Sequence, residues 1–276
     1  MKQKILFLIL SILLYESPLH AQNKYTFSQF ANETVDFVKQ PVKWEGDDYL
    51  TFGLIGVGTG LIMFADQTIR TAVLRDRSYY YSVPIVVGRM YGELYSPIVF
   101  FGGFASYSLI ANDITSRKIA YEIGQASLYS GGLTYFLKLA LGRARPYMEK
   151  GPATYRPFSS LFNQDYHSLP GGHSTAAFTI STVLSRNVQP VWLKVICYVP
   201  PLFTMFSRVY QDKHWTSDNF MGAALGYFVA TWVVDKHEKA VTSDTKETRH
   251  DVMKHVQLQP IITGDSYGLN LTFPFL

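Results

Sequence analysis

The stretch from Ile119 to Pro146 reads IAYEIGQASLYSGGLTYFLKLALGRARP. Its apolar run, Ile119 to Leu141, carries no proline and is rich in Gly, Ala, Ser and Tyr, a composition that lets one helix pack closely on others. Lys138 and Arg145 are seven residues apart, two turns if the helix continues, and so share a face. Pro146 is then expected to close that helix or its extension. Five more apolar segments share the composition: Leu50 to Ala65, Ser96 to Ile110, Ala176 to Leu184, Val191 to Phe206 and Phe220 to Val234. The expected fold is all-α, a helical bundle of about six core helices. A small C-terminal β-hairpin is expected to follow, because Val256, Leu258, Pro260 and Ile262 alternate with other residues, Gly264-Asp265 supplies a turn, and Tyr267, Leu269, Leu271 and Phe273 alternate again.

The same reading divides the chain. Residues 1–21 resemble an export signal, with Lys2 and Lys4 before the apolar run Ile5 to Leu14 and a plausible cleavage point after Ala21; an uncleaved anchor is the other reading, and both direct the chain to the cell envelope. Residues 22–48 form a peripheral amphipathic segment, with Phe27, Ala31, Val35 and Val38 at helical spacing and Pro41 as its stop, lying on the main body or on a membrane surface. Residues 49–236 are the helical domain, 237–255 a polar linker or exposed helix, and 256–276 the hairpin.

Membrane spanning stays open at this level. Several segments fall short of the ~20 apolar residues a span needs, and the mean hydropathy is +0.04. If the first three segments all cross, the Lys138 to Pro146 block emerges on the cytoplasmic side. A periplasm-facing site therefore requires one non-spanning segment, a further crossing near Tyr79 to Tyr91, or a largely peripheral body.

Composition excludes several chemistries. The net charge of +4 is scattered over 276 residues without a basic stripe, so no nucleic-acid partner is expected. The single cysteine, Cys197, lies in an apolar run with no cationic neighbour, which excludes an intramolecular disulfide and argues against a thiolate nucleophile. No carboxylate and histidine cluster has metal-ligand spacing, so neither metal nor cofactor is expected.

Three blocks carry the chemistry. Lys138-x6-Arg145-Pro146 is followed by Pro170-Gly171-Gly172-His173-Ser174, then by Ser207-Arg208-x5-His214-x3-Asp218. A phosphoryl group in transfer spreads negative charge over its equatorial oxygens, so the protein must supply fixed cations and donors. Lys138, Arg145 and Arg208 are those cations, the two arginines suited to forked contacts. Gly171 and Gly172, opening a helix-like segment, would aim unpaired N–H groups at the anion. His214 and Asp218, four apart, would share a helix face if both were helical, letting the carboxylate take the N–H of the far ring nitrogen.

In this order and spacing the blocks resemble the type 2 phosphatidic acid phosphatase superfamily, which also contains class A acid phosphatases and vanadium haloperoxidases. The resemblance implies that His214 attacks phosphorus to form a phosphohistidine, that His173 protonates the leaving oxygen and then activates water, and that Asp218 supports His214. Family members usually carry serine where this chain has Gly171, so one hydroxyl contact is missing at a cost on the order of 1 to 3 kcal/mol; its backbone N–H is expected to remain, and Gly171→Ser to be neutral or activating. The implied activity is hydrolysis of a lipid-linked phosphate or diphosphate, such as a phosphatidate-like lipid, undecaprenyl diphosphate or lipid A, by an exported membrane-associated enzyme with a periplasm-facing site. The other readings are a soluble periplasmic non-specific acid phosphatase, a haloperoxidase whose oxyanion cradle holds vanadate, and a membrane or binding protein of this fold with weak turnover. The aromatic residues Tyr147, Tyr155, Phe158, Phe162 and Tyr166 form either an apolar lip or a loop folded over the helices.

Overall fold

Polar caps set three of the helix starts. Thr26 accepts the Gln29 N–H through its side chain and opens α1 (Phe27–Val38); the Asp48 carboxylate takes the Glu45 N–H at the start of α2 (Gly46–Val73). Pro84 lies in the first turn of α3 (Val83–Tyr91), and left-handed Asn112 ends α4 (Tyr95–Ala111). Asp113 caps α5 (Ile114–Leu141). Then come α6 (Gly172–Asn187), α7 (Val191–Ile196), α8 (Val199–Tyr210) and α9 (Thr216–Lys254). This computed structural model describes residues 25–158, 163–254, 257–263 and 266–272, with side chains as far as Glu238. The expected export signal, Phe162 and the Gly264-Asp265 turn lie outside the described residues.

The all-α expectation holds, with changes at particular elements. The segment expected at Leu50 to Ala65 runs on to Val73, and Val191 to Phe206 is two helices, with Pro200 and Pro201 opening the second. A helix, α3, occupies the region near Tyr79 to Tyr91. α5 does not continue to Arg145. Gly142 ends it at φ +61°, where a Cβ would collide with the Arg156 carbonyl, so Pro146 opens a short 3-10 turn instead of closing the helix.

Residues 25–234 form one unit. Its core joins Ile119, Ile123, Ala126 and Tyr129 of α5 to Val183 of α6 and to Val229, Ala230, Val233 and Val234 of α9, with Phe100, Phe101 and Phe104 of α4 packed against it. Small residues bring these helices close. A Cβ on Gly226 of α9 would run into the Thr175 carbonyl of α6, and α5 meets α6 through Ser130–Thr179 (3.0 Å) and Thr134–Thr175 (3.2 Å) hydroxyl pairs. The amphipathic segment docks on this body through α1: Phe37 stacks on Tyr129 with centroids 4.5 Å apart, and buried Glu33 accepts the Gln125 amide at 2.7 Å.

The second unit begins at Asp235, within α9. The stretch expected as a linker or exposed helix is helical through Lys254. Beyond it, Gln257–Thr263 (β1) pairs antiparallel with Ser266–Thr272 (β2), Thr263 opposite Ser266; we keep the C-terminal hairpin as a proposal.

Candidate active site

Three chain ends meet beside the N-terminus of α6. From α5 comes Lys138 in the last turn, from the connection after it Arg143 and Arg145, and from α8 and the turn that follows it Arg208 and His214. Lys138 Nζ donates to the His167 carbonyl at 2.6 Å, and a Cβ on Gly172 would touch Lys138 Cε at 3.5 Å. Arg145 donates from Nε to Gln164 O at 2.8 Å and from Nη1 to Lys213 O at 3.1 Å, next to His214. The His173 and His214 rings lie 6.1 Å apart. Arg208 is buried and donates to Gln211 Oε1 at 2.9 Å, while its Nε has no partner. The first intrahelical bond of α6 is Thr175 N–H to Gly171 O, so the N–H groups of Gly172, His173 and Ser174 precede the ladder.

Two expectations need correcting. His214 and Asp218 do not share a helix, because α9 starts at Thr216. The His214 Nδ1 lies 2.9 Å from the Ser168 carbonyl and 3.8 Å from Asp218 Oδ2. A carbonyl only accepts, so Nδ1 carries the proton and Nε2 keeps the free lone pair. Asp218 acts one step back: it accepts the Ser168 hydroxyl, the Trp215 N–H at 2.8 Å and Arg143 Nη1 at 2.6 Å. The second correction concerns Gly171. Its N–H is spent on the Asp218 carbonyl at 2.7 Å, leaving Gly172 and the residues after it as free donors.

Four residues that sequence reading passed over complete the site. Arg143 is fully buried and donates to Asp66 Oδ2 (2.8 Å), Asp218 Oδ1, Ser217 Oγ (2.7 Å) and Pro152 O (2.8 Å). Asp66 comes from α2 and also accepts the Ser217 N–H at 3.0 Å. Ser168 bridges Asp218 to His214, and Glu93, between α3 and α4, stands 3.4 Å from His173 Nε2. Arg143 sits inside the first block, and Asp66 is an acid flanked by an apolar run; those were the available signals. Of the aromatic loop, Phe158 is well exposed, whereas Tyr166 is buried beneath the Lys150 and Arg156 cations.

The cluster is strongly electropositive. Burial first, then Arg145, Lys138, Arg208 and His173, hold His214 well below the usual imidazole range. Burial, Arg208 and Arg145 also lower His173, with Glu93 pulling the other way, and burial with Arg145 and Arg208 pushes Lys138 down to about 7. Burial raises the Asp218 carboxyl, opposed by Arg143. Every one of these cations would be favoured in its charged form by an incoming anion.

A family model described as the PAP2 superfamily matches residues 122–241, a span that contains all three blocks. Over those residues, under half of the chain, the sequence is similar to that superfamily. A lipid A 1-phosphatase of Porphyromonas gingivalis is 32% identical over 110 residues, 38% of this chain and 21% of that protein. A lipid A 1-phosphatase of Rhizobium johnstonii is 30% identical over 142 residues, covering 48% of this chain and 55% of the other. The chain thus spans from a fifth to just over half the length of these curated relatives. Among solved structures, a transmembrane PAP2-type phosphatidylglycerolphosphate phosphatase from Bacillus subtilis aligns over 69% of this chain and 96% of its own, at 20% identity and a TM-score of 0.49.

Proposed function

We propose that the chain is a phosphatase acting on a lipid-linked phosphate, with a lipid A-type 1-phosphate as first candidate and lipid diphosphates next. The observation that carries the reading is the convergence of Lys138, Arg145, Arg208 with its unpartnered Nε, the α6 N-terminus and two imidazoles on one small volume. The likeness to lipid A 1-phosphatases supports the substrate class.

His214 Nε2 attacks phosphorus as the bond to the leaving oxygen breaks, and His173 gives that oxygen its proton. Water then attacks the phosphohistidine, His173 takes the water proton, and the N–P bond breaks to release phosphate. Lys138, Arg145, Arg208 and the free N–H groups of α6 hold the equatorial oxygens. The substrate dianion raises His173 toward the protonated form the first step needs.

A lipid substrate fits the outer surface. Among the described residues one helix, α2, is long and apolar enough to cross a membrane, and α3 with α4 pass the same test as a pair bent by 72°. Leu54, Val57, Leu61 and Phe64 of α2, Val191, Trp192 and Val195 of α7, and Leu202 and Phe206 of α8 are all exposed. Faces this apolar seek lipid, which favours a membrane enzyme over a soluble acid phosphatase. The reading is tested by phosphate release from lipid A, lipid diphosphates and soluble monoesters in detergent. His214→Ala is expected to abolish release with an unchanged circular dichroism spectrum; release at the wild-type rate would remove the mechanism.

A further inference from the structure

Helix α2 is held by an unusual set of contacts. Leu50, Phe52, Leu54, Val57, Leu61 and Phe64 are each more than half exposed, so most of its apolar surface packs on nothing in the protein. Its polar ties lie on one face of its last third. Asp66 and Arg70, four residues apart, both turn toward the connection between α8 and α9.

These two ties bracket His214. Upstream, Arg70 forks onto Asp212, Nε to Oδ1 at 2.7 Å and Nη2 to Oδ2 at 2.8 Å, and holds that residue in its left-handed conformation at φ +61°. Downstream, Asp66 accepts the Ser217 N–H and hydroxyl through its two oxygens, and Arg143 Nη2 as well. Asp66, Arg143, Ser217 and Asp218 are all essentially inaccessible to water. From Asp218 the chain of bonds runs to the Ser168 hydroxyl, and from the Ser168 carbonyl to His214 Nδ1.

We infer that Asp66 is a positioning residue for His214, and that α2 is the element through which the lipid-facing surface and the nucleophile are locked together. Resting on the phosphatase reading, the inference adds a residue outside all three sequence blocks. The geometry gives it two tasks. Its charge balances Arg143, so that Arg143 can hold Asp218 without leaving an uncompensated buried cation. Its second oxygen fixes Ser217 at the start of α9, which sets where Asp218 stands. Losing it leaves the His214 ring in place but free to turn about its Ser168 bond.

The test uses the full chain in detergent. Asp66→Asn is expected to lower kcat by about 10- to 100-fold, because a misplacement of about 1 Å caused by a change far from the chemistry can cost that much, with KM nearly unchanged. Asp66→Glu should recover part of the loss. Ser217→Ala, which removes one hydroxyl and no charge, guards against misfolding of the Asn variant and should give a smaller fall in the same parameter. A second readout needs no turnover: in protein labelled with ¹⁵N-histidine, the His214 Nδ1–H signal, assigned by its loss in His214→Gln, is expected to exchange slowly in the parent chain and quickly in Asp66→Asn. Unchanged kcat together with an unchanged ring signal overturns the inference, as does a loss confined to KM. A parent chain that releases no phosphate from any substrate would remove the phosphatase reading instead, while the ring signal would still decide for or against Asp66.

Discussion

At Gly171 the absence of a side chain is built into the packing. A Cβ there would stand 2.8 Å from Asn219 Oδ1 and 3.0 Å from the Asp218 carbonyl. Asn219 cannot swing aside cheaply, since it accepts the Ser174 hydroxyl at 2.9 Å and donates to the Met205 carbonyl at 3.2 Å. The partner across the contact is also a glycine: a Cβ on Gly222 would strike the Gly171 carbonyl. The expectation that Gly171→Ser is harmless is thereby reversed. We expect the variant to lose about 1 to 3 kcal/mol of stability through overpacking and to fall in kcat, because Asp218 and Asn219 must shift. A denaturant midpoint and a phosphate-release rate equal to the parent would refute this. The residues of the three blocks were legible as candidates because each block is local and shows its cations or histidines in one window. Asp66 was not: its bonds to Arg143 and Ser217 join residues 77 and 151 apart. Ser168 lay in a loop whose pattern says nothing of its two partners.

Among the elements, α3 and α8 govern how the two sides of the site face each other. The α3 glycine Gly88 lies against α8 so closely that a Cβ would collide with the Phe203 backbone, and Thr204 donates its hydroxyl to the Gly88 carbonyl at 2.7 Å. α8 carries Arg208 and α3 leads into the loop bearing Glu93, so their separation sets the placement of both around His173. Gly88→Ala is expected to push the helices apart, costing about 1 to 3 kcal/mol and lowering kcat through Arg208. A thermal midpoint and kcat both within error of the parent would show that α8 yields without consequence. The helices themselves were largely foreseen, since apolar runs bounded by Pro, Gly and Asp mark them. Their ends were not. Whether α5 stopped at Gly142 or ran to Arg145 depended on the Arg156 carbonyl filling the space where a Cβ would sit, a contact between residues the local pattern does not connect.

Over the whole molecule, the gathering of cations around buried His214 and partly buried His173 makes stability depend on pH in a defined direction. His214 faces Arg145, Lys138, Arg208 and His173, with Asp218 3.8 Å away; His173 faces Glu93, Arg208 and Arg145; both rings are held below the ordinary imidazole range. An unfolded chain protonates its histidines near 6.5. Between that point and the lower folded values the unfolded state binds more protons, so stability falls as pH drops below about 6.5, by up to about 1.4 kcal/mol per pH unit for each ring. Lys138, pushed down to about 7, acts in the same sense over a higher window: the unfolded chain keeps that proton up to its ordinary range, so the fold gains stability as pH rises above about 7. Asp218, raised by burial, opposes these terms at the acid end. Filling the site with a phosphate dianion stabilises the protonated rings and amine, so binding should take up protons near neutral pH and lessen the acid sensitivity. Thermal midpoints at pH 5.5 and 7.5 in detergent, each with and without inorganic phosphate, should show a lower value at 5.5 and a narrower gap with phosphate. Calorimetry in two buffers of different ionisation heat should show proton uptake on binding. A midpoint that rises on acidification, or phosphate binding that releases protons, would mean that these imidazoles do not face the cations as the fold places them.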